Sequence, residues 1–141
     1  KLTIMVNTYI TSRYCDNPPD IISDRVKTQG GPLYPADEVI QILDAAPPEL
    51  VTRKCAQDAQ NLCLDVTDIG HLIKEAVSHG QYIDSEWCEQ KAGGPIAACD
   101  AYRLCRMEWN EAAHKDLKCC YYFKFAIAKT GKIVITISCH T

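Results

Sequence analysis

Near the C-terminus, Tyr122, Lys124 and His140 fall on two runs of alternating residues. A phenol, an ammonium and an imidazole on one surface can move a proton and stabilise negative charge on a phosphorane, and an imidazole titrates near neutrality. Whether they meet depends on pairing. Tyr121, Phe123, Phe125 and Ile127 alternate with Tyr122, Lys124, Ala126 and Ala128, while Ile133, Ile135, Ile137 and Cys139 alternate with Val134, Thr136, Ser138 and His140. Both runs have the period of a strand. Facing the two apolar sets together requires odd residues opposite odd ones, hence an odd number of loop residues. The expected turn is Lys129-Thr130-Gly131, with Gly131 in the left-handed third position and Ala128 opposite Lys132. Tyr122 then faces Ser138 with His140 as its diagonal neighbour; moving the loop by one residue places Tyr122 directly opposite His140. In either register Tyr122, Lys124 and His140 share the face away from the Phe/Ile core, expected to be wet.

Charge supports an anionic partner at this end. The 141 residues carry a formal net charge of -3, but residues 1–100 hold 8 basic and 15 acidic side chains whereas residues 101–141 hold 7 basic and 3 acidic. A +4 segment follows one of -7, an asymmetry that suits a basic surface on a soluble acidic body. Arg103 and Arg106 are separated by an odd step, so on a strand only one of them joins the Tyr122 face. Arg103, Arg106, Lys129 and Lys132 are candidate contacts to that anionic partner, and one of the two arginines can join Lys124 on its face. Asp84, Glu86 and Glu89 read as a solvated loop.

A hydrophobic fraction of 47% with 23% charged residues excludes a disordered, collagen-like or coiled-coil chain, and the length fits one core. Nine cysteines, an odd number without a C-x2-C pair, are expected to act mostly as small buried hydrophobes in a reducing cytosol, with no metal or cofactor. No stretch reaches the length of a membrane span and the first residues lack a signal-peptide pattern, so a cytoplasmic protein without membrane contact is expected.

The positioning elements follow in order. Leu2–Ile10 has strand composition, and residues 15–35, with Pro18-Pro19 and Gly30-Gly31-Pro32, read as a mobile connection, so that 1–35 is an extension before a single domain at 36–141. Pro35 suits a helix start, with Val39, Ile40, Ile42 and Leu43 as its stripe and Pro47-Pro48 beyond its end. Thr52 caps a second helix to about Cys63, and Thr67 a third, where Ile69, Leu72, Ile73, Ala76 and Val77 keep helical spacing to a stop at Gly80. His71 and His79 are expected to face solvent there. Strand-like runs around 82–83, 98–109 and 120–140 complete an α+β domain, with the N-terminal helices packed on one face of a small antiparallel sheet that ends in a β-hairpin.

The order Thr52-Arg53, Leu64-Asp65, Asp100-x-Tyr102-Arg103, Tyr122-x-Lys124 and Ile135-x-Ile137-Ser138-x-His140 resembles the MqsR family over roughly residues 37–141. The resemblance implies a RelE-like fold and the toxin of a toxin–antitoxin pair, a metal-independent messenger-RNA endoribonuclease blocked by a cognate antitoxin protein. It implies attack of a ribose 2'-OH on the adjacent phosphate, leaving a 2',3'-cyclic phosphate. By position, Tyr122 matches the family's hairpin tyrosine and His140 its last lysine, whereas Asp84 stands in place of another lysine and Cys99 in place of a glutamine. Those departures keep open a non-catalytic, protein-binding member on a RelE-like scaffold. A zinc or redox protein using Cys88, Cys99, Cys105, Cys119 and Cys120 is a further alternative.

Overall fold

A computed structural model describes residues 9–19, 26–28 and 30–141. The strand expected over Leu2–Ile10 lies outside the described residues except at its last two, where Ile10 bridges to Ile96. Three helices pack with a six-stranded sheet, a mixed α+β arrangement. The strands are β1 (Val26–Lys27), β2 (Glu49–Leu50), β3 (Gln81–Glu89), β4 (Ile96–Asn110), β5 (Lys115–Ile127) and β6 (Val134–His140). Their order across the sheet is β1-β3-β4-β5-β6-β2. All neighbours are antiparallel except β2, which runs parallel to β6 at the edge and departs from the expected antiparallel sheet. Pro47 and Pro48 close the preceding helix and leave the chain extended along β6, where Val51 N donates to Thr136 O.

Helix α1 (Ala36–Ala45) begins after Pro35, and α2 (Arg53–Asn61) begins where Thr52 Oγ1 accepts from Cys55 N. Helix α3 (Val66–His79) starts earlier than a Thr67 cap would place it. Asp65 is the cap, and Asp65 and Asp68 form a reciprocal capping box that satisfies two end donors at once. Val39 and Leu43 of α1 with Ile69, Ile73 and Ala76 of α3 meet Tyr102, Phe123 and Phe125 of the sheet in the main core. His71 and His79 are exposed.

Part of 9–35 packs into this core, through Tyr34 with Tyr14 and Leu33 beside it. Tyr34 is buried, its Oη donating to Ala98 O at 2.6 Å, and buried Ser12 accepts from Ala98 N. Asp100 accepts from the backbone N–H groups of Leu33 and Tyr34, which fastens this segment to β4. Leu33 and Tyr34 are therefore held against β4, contrary to the mobility expected of this stretch. Burial of Tyr34 and Ser12 crosses the boundary drawn at 35.

The connection between β5 and β6 also differs from expectation. Ala128 N donates to Ile133 O and Gly131 N to Ala128 O, so four residues, 129–132, form the loop, with Gly131 at positive φ. An even loop puts Phe125 opposite Thr136, and a bulge past that pair then inserts Ile137 and places Lys124 opposite Ser138 and Tyr122 opposite His140. Parity does not fix the register because both faces of these strands are buried; Ala126, Ile135 and Thr136 are enclosed like Phe125. Alternation selects a register only where one face is wet.

Candidate functional site

The bulge creates a row across three strands. On β4 Arg103 lies opposite Tyr122 of β5, and Tyr122 lies opposite His140 of β6, so the three side chains share one face. Two strand spacings separate the ends of the row, about 10 Å. Tyr122 and His140 are half-buried and their rings stack at 4.9 Å between centroids with an interplanar angle of 24°. Arg103 is exposed and makes no ion pair among the described residues. A guanidinium, a phenol and an imidazole thus line a patch open to solvent at one end of the sheet.

Lys124 is on the same face, one pleat further along β5, but not in water. It is 1% exposed and ion-paired with Glu86 of β3, itself 4% exposed. The wet face expected for Lys124 is dry at this point, and Asp84, Glu86 and Glu89 belong to β3 rather than to a solvated loop. Burial alone would lower the Lys124 pKa; neighbouring Cys88, Glu86 and Tyr122 outweigh it and hold the ammonium above the usual lysine range. Its Nζ lies 5.8 Å from the Tyr122 ring centroid. A charge so enclosed cannot meet a solvent-borne phosphate; on this face it reaches the Tyr122 ring instead.

Two residues of this network were not candidates from sequence. Lys27 of β1 pairs with Asp84 and reaches Glu86 at 3.4 Å, so the carboxylate at position 84 is met by an ammonium from another strand. The hydrogen bond to Asp84 is the main cause that raises the Lys27 pKa. A lysine on a core strand is a signal that a carboxylate must lie beside it, which points to Glu86; nothing local to Lys27 announces its partner. Cys99 is fully buried next to Asp100 and fills core volume. Asp100 and Tyr102 are structural: Ser85 Oγ donates to Asp100 at 2.5 Å, and Tyr102 stacks on Phe125.

The remaining basic candidates are elsewhere. Arg106 projects to the helix side, where Glu75 at 2.7 Å and Glu108 at 3.2 Å neutralise it. Lys129 and Lys132 are exposed in the β5–β6 loop, roughly 20 Å along the strands from Tyr122. Lys129 Nζ sits 5.7 Å from the Tyr9 ring centroid.

The cysteines are not all thiols. Cys105 and Cys120 face each other directly on β4 and β5, with Cα atoms 4.0 Å apart, and are joined by a disulfide. Of the remaining cysteines, Cys55, Cys88, Cys99 and Cys139 are buried. The bond consumes two of the five cysteines considered for zinc or redox chemistry, and among the described residues no three His, Cys, Asp or Glu converge as metal ligands. Among the described residues no helix is long and apolar enough to cross a membrane. No family model, curated protein or solved structure matches the chain.

Proposed function

We propose that the protein is a metal-independent endoribonuclease of the toxin type, with a RelE-like scaffold and RNA bound across the open end of its sheet. The observation that carries this reading is the Arg103–Tyr122–His140 row, produced by one register on three adjacent strands. His140 transfers the proton between the attacking 2'-OH and the departing 5'-oxygen, and Arg103 holds charge on the phosphate. Tyr122, stacked on His140, fixes the imidazole and offers its hydroxyl to the nucleophile or leaving group. Lys124, paired with Glu86, positions the Tyr122 ring from below. An antitoxin that covers this row blocks the reaction.

The test is incubation of the pure protein with naked RNA in EDTA, with product ends analysed. Cleavage leaving 2',3'-cyclic phosphates is expected, and His140→Ala should slow it by about 10²-fold or more, the usual worth of a positioned proton-transfer group. Parent-like rates in both His140→Ala and Tyr122→Phe would remove the assignment. A second reading, a non-catalytic module that binds a protein partner, draws on Met107 and Trp109, which are 62% and 56% exposed on the far part of β4. It predicts no cleavage in that assay and no growth arrest on induced expression.

A further inference from the structure

Cys55 of α2 and Cys139 of β6 lie 84 positions apart in sequence, yet their Sγ atoms are 3.2 Å apart. Both side chains are buried, at 0% and 1% exposure. The Cys55 thiol donates to Cys139 Sγ and the Cys139 thiol to Cys55 O at 3.3 Å, so the two sulfurs face each other directly rather than packing as separate small hydrophobes. The helix is docked on the same stretch of β6 independently, because Thr52 Oγ1 donates to Ile137 O at 2.8 Å while also capping α2. The two sulfurs are therefore held side by side by a contact that does not involve them. The Cys105–Cys120 bond already places this chain among proteins that carry a disulfide.

We propose that Cys55 and Cys139 form a second disulfide, closed by thiol–disulfide exchange with a low-molecular-weight disulfide, which ties α2 to β6 at the residue preceding His140. The thiolate of Cys139 attacks the oxidant, expels one small thiolate and forms a mixed disulfide. The thiolate of Cys55 then attacks the Cys139 sulfur and expels the second. Two protein thiols lose two electrons and two protons, and the oxidant takes them up as two small thiols. Both sulfurs are enclosed in the folded chain, so the first exchange precedes docking of α2.

The full chain is refolded with oxidised and reduced glutathione, denatured in iodoacetamide and digested without reduction. Mass spectrometry should find the peptide holding Cys55 joined to that holding Cys139, lighter by two hydrogens than the separate peptides and lost on reduction. Recovery of both cysteines alkylated overturns the proposal whether or not Cys105 and Cys120 are joined, as does Cys55 joined to any other cysteine. A second arm compares thermal midpoints: Cys55→Ser, Cys139→Ser and the double variant should fall by similar amounts below the parent under oxidising conditions, with most of the gap closing in reductant. A gap unchanged by reductant is the packing result and overturns the bond. No RNA enters either readout, so failure here leaves the ribonuclease reading untouched.

Discussion

Lys124 and Glu86 form a buried pair that Lys27 extends through Glu86, so removing Glu86 strands the Lys124 ammonium in a dry interior, whereas removing Lys124 leaves Glu86 with Lys27. Glu86→Leu should lower the unfolding free energy by about 3 kcal/mol, and adding Lys124→Met should recover part of it, read by urea unfolding. A double variant less stable than the single would show that the pair is not the reason for the loss. Asp100 gives a pH signature. Burial raises its pKa above the ordinary carboxylate value despite hydrogen bonds from Ser85, Leu33 and Tyr34. The unfolded carboxyl loses its proton at lower pH than the folded one, so this residue's contribution is fully present below the unfolded value and lost as pH rises through the folded one. Asp100→Asn should remove that fall in stability above about pH 4, seen as a flatter pH dependence of the unfolding midpoint. It should also cost about 1–3 kcal/mol, since an amide cannot accept from all three donors.

At the scale of elements, α2 depends on a cap that reaches outside the helix. Thr52 Oγ1 accepts from Cys55 N and donates to Ile137 O, so Thr52→Ala removes a helix cap and a tie to β6 together. A loss of about 1–2 kcal/mol is expected in urea unfolding, at the upper part of the range for caps. The far part of β4 and β5 is two-stranded, since β3 pairs with β4 no further than Arg103 and β6 with β5 no further than Tyr122. The Cys105–Cys120 disulfide sits where the ribbon leaves the sheet. Its sequence separation of 15 sets an entropic ceiling of about 3 kcal/mol, so replacing both cysteines with Ala should destabilise by no more than that. The loss should appear first as faster amide exchange at Met107 to Leu117.

For the molecule as a whole, the first 35 residues are the decisive region. A chain beginning at residue 36 would lack buried Tyr34 and the acceptor on Ser12, and would leave Asp100 without two of its donors. Lys27 would be missing beside Asp84 and Glu86 as well. Such a chain should show no cooperative unfolding transition by circular dichroism, whereas the full chain should show one. The same region shows how far local signals reach. Pro18-Pro19 and Gly30-Gly31-Pro32 mark irregular backbone, which composition alone reads as mobile; but Asp100, 66 positions beyond Tyr34, holds Leu33 and Tyr34 by hydrogen bonds no local pattern announces.

The presence of three helices, the Thr52 cap, the stop at Gly80, the α+β class and the strand character of residues 120–140 were determined by the sequence alone, because caps and periodicity act within a few residues; the start of α3 was not, since Asp65 and not Thr67 is its cap. The register was not. Tyr122 opposite His140 required a four-residue loop corrected by a bulge at Ile137, and alternation could not choose between registers once helices and sheet neighbours had buried both faces. Tertiary structure alone also decided that Lys124 is a buried partner of Glu86, that Arg106 belongs to Glu75, and that Lys129 and Lys132 lie at the other end of the strands. Each of these depends on which strand lies beside which, and that order comes from closing long loops around a shared core rather than from any residue's own preference.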